Sequence, residues 1–473
     1  MYSKRINRGE FKMYIDDTIA AIATAPGEAG IGIVRISGEK SIEIADKIFK
    51  SIQGKKLSEF SHRRMTYGHI VDPDNGEKID EVLAYYTKGP YTYTREDIVE
   101  INCHGGIIPV KKILQLVLKK GARIAEAGEF TKRAFLNGRI DLAQAEAVMD
   151  LISAKTDKGF DVALDQLEGS LSKNVSSIRK KLLDMLAHIG VSIDYSEEDI
   201  DEVTLDYLLK ESLEIKKNIE ILLRTSDAGK ILREGLKTVI VGKPNVGKSS
   251  LLNALLKESR AIVTNIPGTT RDIIEEHVNI RGIPVRIVDT AGIRETDDIV
   301  EKMGVERSKI FFNTADLIIF MLDISVELTE EDKSIMDLVE DKKALILLNK
   351  SDLPQRADLN IIEEKFKNKK VIKTSLLEEN ELESIEDAIE ELVYQGEVWA
   401  KEGLLVTNVR HKNALERALN HIEDGLGAIK QKMPLDFIEV DIKNTWETLG
   451  EITGDTVAED IIDHIFKNFC LGK

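Results

Sequence analysis

The chain has 473 residues, enough for about three domains. Its net charge of -17, with 32% charged residues, excludes a protein that coats nucleic acid through overall charge, so any RNA contact must use local patches or a partner. Two cysteines cannot build a disulfide framework, and no apolar run approaches the roughly 20 residues that span a bilayer, so a cytoplasmic protein without membrane contact is expected.

Residues 1–135 are expected to form an α+β domain, because strand-like runs alternate with short helices there. The predicted strands are Ala20–Thr24, Gly32–Ile36, Val82–Tyr86 and Asp97–Cys103, and Val110–Leu118 is predicted as a helix.

Two segments are expected to be helical. No proline occurs between Pro109 and Pro244, and apolar residues recur at helical spacing from Leu142 onward, which predicts one part of a helix bundle over 136–232. A second proline-free helical stretch predicts the other part over 398–473. The simplest arrangement is a domain over 233–397 inserted into this bundle, since domains are readily inserted at exposed loops of a host.

A phosphate-binding loop follows the predicted strand Thr238–Val241. The loop runs from Gly242 to Ser249 and leads into a helix, which is the strand-to-helix setting that the pattern requires. Its glycines allow backbone N–H groups to close around phosphate oxygens, while Lys248 reaches the terminal phosphates and Ser249 can ligate Mg²⁺.

Two further predicted strands end in motifs that select guanine nucleotides. Val285–Val288 leads to Asp289–Gly292, placing a carboxylate near the metal and a glycine amide near the γ-phosphate. Ala344–Leu348 leads to Asn349–Asp352, where Asp352 can accept from the N1–H and amine of guanine, a donor pair that adenine lacks. The nucleotide is therefore expected to be GTP, in a Ras-like P-loop domain.

Ile293 follows Gly292, and its alkyl side chain cannot orient or deprotonate water. Hydrolysis must therefore recruit another group. The loop Thr264–Asp272 is rich in hydroxyls and carbonyls that suit a hard cation, and Thr270 is the expected second Mg²⁺ ligand. A fifth motif, Thr374–Ser375, precedes Leu376–Leu377 where many GTPases continue Ala-Lys.

The chain resembles the MnmE (TrmE) family of tRNA modification GTPases over essentially its whole length after Met13. The GTPase motifs are shared with many proteins, whereas the N-terminal signature and the terminal tetrapeptide are specific to this family. The segments that carry the resemblance are Ala25–Gly38, Gly128–Arg139, Gln144–Ala147, the GTPase motifs and Cys470–Lys473.

The resemblance implies a GTPase that works with an MnmG-like flavoprotein in a heterotetramer. The complex would install a carboxymethylaminomethyl-type group at C5 of the tRNA wobble uridine, using the one-carbon unit of 5-formyltetrahydrofolate or a related reduced folate. The matching folate positions are Arg35, Glu100, Arg139 and Lys473, for each of which an ordinary ion pair is the alternative. Cys470 matches the family's C-terminal cysteine, as a nucleophile or as simple packing.

For hydrolysis, the resemblance implies a homodimer whose GTPase domains close on each other when K⁺ binds beside the phosphates. Glu301 matches the residue that orients the attacking water, and Lys248 serves the phosphates. The K⁺ ligands would be Asn245, Thr264, Ile266 and Thr269; the Mg²⁺ ligands, Ser249 and Thr270. The expected nucleotide contacts are Asn245, Val246, Gly247, Lys248, Ser249, Ser250, Thr264, Asn265, Ile266, Pro267, Gly268, Thr269, Thr270, Asp289, Thr290, Ala291, Gly292, Asn349, Lys350, Asp352 and Ser375.

Two alternative functions stay open at this point. A ribosome-assembly or translation switch GTPase would share the nucleotide motifs but would leave the folate-like N-terminal domain unexplained. A folate-binding scaffold with a vestigial nucleotide site would not need intact Lys248, Ser249, Thr270 and Asp289.

Overall fold

The computed structural model describes residues 17–194, 198–258, 275–288, 312–376, 381–394, 404–470 and 472–473. The chain divides into two compact units, each assembled from separated segments. The first unit takes in Met1–Met149, Leu167–Ala187 and Ile442–Lys473, and the second takes in Asp150–Gln166 and His188–Asp441.

A seven-stranded sheet lies at the centre of the first unit. Its strands are β1 Ile19–Ile22, β2 Ala29–Ser37, β3 Phe49–Ser51, β4 Thr66–Val71, β5 Lys78–Thr87, β6 Ile98–Gly105 and β7 Arg123–Ile124. The strand order is β3-β4-β5-β6-β2-β1-β7, and neighbours are antiparallel except for β1 and β7. Buried and accessible residues alternate along β4, because successive side chains of a strand point to opposite faces.

The described helices are distributed over both units. They are α1 Ser41–Ile48, α2 Ile107–Lys119, α3 Glu129–Leu136, α4 Leu142–Ser153, α5 Asp157–Leu167, α6 Ser170–Asp194, α7 Glu198–Arg224, α8 Ser226–Glu234, α9 Lys248–Glu258, α10 Glu330–Val339, α11 Leu359–Lys365, α12 Glu381–Tyr394, α13 Val409–Lys430, α14 Leu435–Thr453 and α15 Glu459–Lys467.

One face of the seven-stranded sheet is covered by α1 and α2. Val34 and Ile101 of the sheet pack there with Ile44 of α1 and Ile113 of α2, all of them almost completely buried. Arg35 alternates with Val34 along β2 and so belongs to the opposite face. That second face carries polar side chains such as Arg35 together with a smaller apolar cluster that includes Ala21 and Phe130.

A buried arginine connects α3 to the edge of the same sheet. The Arg133 side chain is 1% exposed, and its guanidinium lies 2.6 Å from Asp17, 2.9 Å from Glu129 and 3.1 Å from Glu96. Arg123 adds a second cation, 2.6 Å from Glu129. Buried charges are tolerated when they are paired and hydrogen-bonded, and here three carboxylates meet two guanidinium groups.

Within the described residues, the second unit contains a six-stranded sheet. Its strands are β8 Leu236–Val241, β9 Glu275–Ile280, β10 Ile283–Val288, β11 Leu317–Asp323, β12 Ala344–Asn349 and β13 Lys370–Thr374. The order is β13-β12-β11-β8-β10-β9, with every neighbouring pair parallel except β10 and β9. A sheet of this kind is buried on both faces, which explains the continuous apolar run of β12.

Helices cover both faces of this sheet. On one face, Leu251 of α9 and Ile385 of α12 pack with Ile319 of β11. On the other face, Met336 of α10 packs with Phe320, which alternates with Ile319 along β11. The result is a three-layer α/β arrangement with the strands in the middle.

Long helices make up much of the remaining second unit. The helices α7 and α13 pack along each other, and Lys216 of α7 lies 2.7 Å from Glu423 of α13. Among the described residues, no helix has both the length and the apolar character that a membrane crossing requires.

The structure confirms each predicted strand and helix in kind, with shifts of a few residues at their ends. It also adds strands that the sequence patterns did not indicate, among them β4 and β11. Gly229 lies inside α8, and Gly235, with φ 87°, ends that helix. The boundaries at 135, 232 and 397 stay a prediction.

The network around Arg133 predicts an acid-sensitive contribution to stability. Burial by itself raises the pKa of Glu129, but hydrogen bonds from Arg123 and Arg133 outweigh it and hold the pKa below its ordinary value of 4.5. Such a group stabilises the fold above the pKa of the unfolded chain, and this stabilisation is lost as pH falls through the folded pKa.

We therefore expect Arg133→Met to lower the free energy of unfolding at pH 7 by about 3–5 kcal/mol, because it leaves carboxylates without their buried cation. The deficit should shrink below about pH 4.5 as those carboxylates take up protons. Urea unfolding over a pH series measures both effects. Lys111→Met, on the exposed side of α2, is the matched control, and a deficit independent of pH would contradict the electrostatic origin.

Candidate functional sites

Several of the predicted site residues meet at one edge of the six-stranded sheet. This edge is formed by the carboxyl ends of parallel strands. It carries the loop after β8, Asp323 at the end of β11, Asn349 at the end of β12 and Ser375 just after β13. Ligands of open α/β sheets bind at this edge, because the connecting loops converge there.

The phosphate-binding loop has the backbone shape that its glycines permit. Gly242 and Gly247 have φ values of 149° and 110°, and a Cβ on Gly242 would lie 2.4 Å from the carbonyl oxygen of Met321. Asn245 is left-handed, with φ 63°. The Lys248 ammonium donates to the carbonyl oxygens of Gly242 and Lys243, each at 2.7 Å, so the charge lies against the loop itself.

Lys243 holds the loop to α10. Its ammonium lies 2.6 Å from Asp332 and 3.0 Å from the Thr329 hydroxyl at the N-terminus of that helix. The sequence analysis did not identify this contact, because Lys243 stands at a variable position of the loop pattern and its partners are more than 80 residues away.

Asn349 joins the end of β12 to the phosphate-binding loop. Its side-chain amide donates to the Val246 carbonyl at 2.6 Å, and a Cβ on Gly247 would lie 2.4 Å from the same nitrogen. Asn349 is 4% exposed, and its Oδ1 atom has no hydrogen-bond partner within the described part of the chain. The contact sets the distance between the loop and the strand that carries the guanine-selective motif.

The rest of that motif is held by neighbouring side chains. The Ser375 hydroxyl donates to Asp352 at 2.8 Å, and the Ser351 amide donates to the Thr374 carbonyl at 3.2 Å.

Lys350, left-handed with φ 65°, donates to Asp323 at 2.5 Å. Burial raises the pKa of Asp323, but the Lys350 and Ser325 hydrogen bonds bring it below its usual range.

Asp323 is a residue that the sequence analysis missed. Asp323 stands at the end of the apolar run of β11, as Asp289 stands after β10. An aspartate at the end of an apolar run is the sequence feature that could have identified it.

Part of the predicted nucleotide site lies outside the described residues. This part comprises Thr264, Asn265, Ile266, Pro267, Gly268, Thr269, Thr270, Asp289, Thr290, Ala291, Gly292, Ile293 and Glu301. Of the expected Mg²⁺ ligands, Ser249 is described: it is the second residue of α9 and exposed, and its hydroxyl is a hard oxygen donor of the type that Mg²⁺ prefers. No group of three or more His, Cys, Asp or Glu residues suited to a metal occurs in the described ranges.

A second candidate site lies on the face of the seven-stranded sheet opposite α1 and α2. Strand register places Arg35 of β2 beside Glu100 of β6, and Glu100 beside Tyr85 of β5. Arg35 Nε donates to Glu100 Oε1 at 2.7 Å, and the Tyr85 hydroxyl donates to Glu100 Oε2. Burial and the hydrogen bond to Glu100 raise the pKa of Tyr85 to about 12, so the hydroxyl keeps its proton near neutral pH.

The C-terminal residues complete this site. Arg35 Nη1 donates to the Gly472 carbonyl at 3.3 Å, which brings the end of the chain to the row of Arg35, Glu100 and Tyr85. Gly472 has φ 86°, and a Cβ there would lie 2.2 Å from the Ile22 carbonyl oxygen of β1. The approach therefore requires glycine. Lys473 follows and is half-buried, while Cys470 is exposed.

Two aromatic rings connect Arg139 to this row. Its guanidinium stacks 4.6 Å from the Tyr93 ring centre, and Tyr93 packs against the small cluster that contains Phe130. Arg35 in turn lies 5.7 Å above the Phe130 ring. The structure thus joins Arg35, Glu100 and Gly472 directly, and links Arg139 to them through Phe130 and Tyr93.

Comparisons with known proteins match both units. A family model described as "GTP-binding protein TrmE N-terminus" matches residues 18–139, and one described as "MnmE helical domain" matches residues 142–470. The chain is 73% identical over 461 residues to the tRNA modification GTPase MnmE of Alkaliphilus metalliredigens, covering 98% of this chain and 100% of that protein.

Two more distant relatives have the same description and the same coverage. The chain is 59% identical over 461 residues to the protein of Clostridioides difficile, covering 98% of this chain and all of that protein. It is 54% identical over 458 residues to that of Bacillus subtilis, covering 97% and 100%. The expected fold class is confirmed: an N-terminal α+β domain, helical segments and a Ras-like P-loop domain.

The contact between Asn349 and Val246 generates a test of the loop's support. Asn349→Ala should lower the free energy of unfolding by about 1–3 kcal/mol, because it leaves the Val246 carbonyl without its donor in a buried place. Chemical denaturation measures this. Thr374→Val is the matched control, since the buried Thr374 hydroxyl has no partner in the described structure and its loss should cost little. Equal losses for both variants would show that the Asn349 hydrogen bond is not what stabilises the loop.

Proposed function

The chain belongs to the MnmE family of tRNA modification GTPases, and from this premise we propose that it is a K⁺-activated GTPase acting with an MnmG-like flavoprotein and a reduced folate on the tRNA wobble uridine. The family itself establishes a GTP-hydrolysing enzyme that takes part in tRNA modification. Membership of this family favours a tRNA modification GTPase over a ribosome-assembly or translation switch and over a non-enzymatic scaffold.

The nucleotide site is proposed to bind GTP through the loop Asn245–Ser250 and to read guanine through Asp352. The carboxylate of Asp352, positioned by Ser375, can accept from the two guanine donors. Lys248 is proposed to leave its loop carbonyls for the terminal phosphates. Ser249, with Thr270, would hold Mg²⁺, which supplies charge neutralisation at the β- and γ-phosphates.

Hydrolysis is proposed to depend on Glu301 and on a K⁺ site. Ile293 offers no hydrogen bond to water, so Glu301 would orient the attacking water. Asn245 supports the K⁺ assignment, because it is exposed and left-handed at the mouth of the loop and carries an amide oxygen. Thr264, Ile266 and Thr269 would supply the other oxygens, and the cation would provide the positive charge of an arginine finger.

The folate site is proposed at Arg35, Glu100, Arg139 and Lys473. The single observation that carries it is the row of Arg35, Glu100 and Tyr85 closed by the C-terminal Gly472. A carboxylate held between an arginine and a tyrosine can accept from pterin donors, and Arg139 and Lys473 offer cations to the glutamate tail. Cys470 is exposed and close in sequence to this site, so a chemical role for its thiol stays part of the proposal.

The assembly is proposed to be a cytoplasmic heterotetramer of two copies of this chain and two of the flavoprotein. The tRNA is its substrate. Closure of two GTPase domains on each other would complete each cation site.

A first prediction concerns hydrolysis. Glu301→Ala should lower kcat by about 100- to 10,000-fold with nucleotide affinity little changed, because it removes the group that orients water. Asp298→Ala is the matched control and should have a much smaller effect.

Replacing KCl by NaCl at constant ionic strength should slow GTP hydrolysis by the wild type, and Asn245→Ala should remove the difference between the salts. Steady-state phosphate release measures all three, and equal wild-type rates in both salts would refute the K⁺ mechanism.

A second prediction concerns folate. Arg139→Ala should weaken binding of 5-formyltetrahydrofolate by roughly ten-fold or more, since it removes a charge-assisted contact worth about 1.5–3 kcal/mol. GTP turnover should stay near the wild-type value. Lys111→Ala, on a helix covering the opposite sheet face, is the control for loss of a cation. Calorimetry that found the same folate affinity for Arg139→Ala and the wild type would overturn the assignment.

A further inference from the structure

Two loops at one end of the seven-stranded sheet carry cations. Residues 61–65 lead into β4 and residues 88–95 follow β5, and because β4 and β5 are antiparallel both segments lie at the same end. Neither segment contains Asp or Glu. We call these two segments the basic loop pair. Their basic residues are His62, Arg63, Arg64, Lys88 and Arg95.

Hydrogen bonds to backbone hold the two loops in place. The Arg63 amide donates to the Tyr86 carbonyl at 2.7 Å, and its guanidinium donates to the Tyr91 carbonyl at 3.0 Å. The Arg95 guanidinium donates to the Asn137 carbonyl at 2.8 Å. Each guanidinium has five N–H donors, so most of them stay available. Throughout the described part of the chain, Arg63, Arg64, Lys88 and Arg95 have no carboxylate partner.

Two of these arginines occupy backbone positions that glycine would occupy at lower conformational cost. Arg63 has φ 63° and Arg95 has φ 62°, in the left-handed region that side chains other than those of Asn and Asp rarely adopt. Both positions therefore keep a long cationic side chain in a backbone conformation that is energetically unfavourable.

The opposite end of the sheet is organised differently. The turn between β4 and β5 carries Asp72, Asp74 and Glu77, and lysines of α2 and of the residue after it neutralise them. Lys112 lies 3.1 Å from Glu77, and Lys119 lies 2.7 Å from Asp74. These three lysines are therefore paired within the fold, whereas the basic loop pair leaves its cations for a partner.

The basic loop pair also presents an aromatic ring. Tyr91 is 82% exposed, and the Arg63 hydrogen bond fixes its backbone. Exposed aromatic rings beside cations are the elements that bind single-stranded nucleic acid, by stacking on a base while the cations contact phosphates. In a chain of net charge -17, such a local patch is what an RNA contact requires.

We propose that the basic loop pair binds the anticodon arm of the tRNA substrate, with Arg63, Arg64, Lys88 and Arg95 on the phosphate backbone and Tyr91 stacked on an unpaired base. The choice of RNA rests on the tRNA modification function of the family. The loop of Tyr91 also carries Tyr93, the ring beneath Arg139, so the bound base lies on the same loop as the proposed folate site. Only this last relation rests on the folate assignment.

The contribution of the cations is tested by measuring RNA affinity with fluorescence anisotropy. The experiment uses the full-length chain and a labelled anticodon stem-loop with uridine at the wobble position. Measurements without GTP and folate, over a KCl series, keep the test independent of the proposed hydrolysis and folate mechanisms. Arg64→Gln combined with Lys88→Gln should lower the slope of log affinity against log salt by roughly 1.4–1.8, the value for two lost phosphate contacts. Lys112→Gln combined with Lys119→Gln removes the same charge at the paired end and should leave the slope unchanged.

The aromatic contact is tested by Tyr91→Ala and Tyr91→Phe. The alanine variant should weaken binding roughly 5- to 100-fold with the salt slope unchanged, because stacking and not charge is lost. The phenylalanine variant keeps the ring and should bind like the wild type. Tyr91 is exposed, so thermal unfolding of each variant should match the wild type.

Wild-type affinity and slope in the Arg64 and Lys88 double variant would overturn the proposal. The proposal is also overturned if the double variant binds RNA normally but no longer forms homodimers or the flavoprotein complex in sedimentation experiments. The basic loop pair would then be a protein interface. Loss of RNA binding in the Arg64 and Lys88 double variant with intact folate binding supports the proposal.

Discussion

Strand register is the constraint on which both candidate sites depend. In the second unit, parallel pairing brings the carboxyl ends of β8, β11, β12 and β13 to one edge, where Asn349 contacts the phosphate-binding loop at 2.6 Å. In the first unit, antiparallel pairing places Arg35, Glu100 and Tyr85 in one row. A shift of one residue would turn every one of these side chains to the other face, so the apolar cores that fix the register also fix the sites.

Close backbone approaches complete each site. Gly247 leaves room for the Asn349 amide, and Gly472 leaves room for the Ile22 carbonyl. A side chain at either glycine would separate two elements that the site needs together. The C-terminal residues thus belong to the same compact unit as the N-terminal sheet, although more than 430 residues separate Gly472 from Arg35.

The charges of the first unit serve distinct purposes. Arg133 and Arg123 pair with the carboxylates of Asp17 and Glu129 and support the fold, and the lysines near Asp72 and Asp74 are paired at the surface. Arg35 is shared between Glu100 and the C-terminus. The basic loop pair alone among these groups keeps its cations unneutralised within the described residues, which is why a polyanionic partner is assigned there in a chain that is acidic overall.

The nucleotide motifs, most of the elements that carry them and the family could be predicted from the sequence alone, because glycine spacing and strand-to-helix patterns are local properties. It identified Arg35, Glu100 and Lys473 only through resemblance. Tyr85, Asp323 and the partners of Lys243 were decided by the tertiary structure, since strand register and contacts between distant segments leave no local pattern. The strands β4 and β11 were missed for different reasons. The inward positions of β4 include Thr66 and Gly68 and so show no apolar alternation, whereas the apolar run of β11 has no periodicity that separates strand from helix.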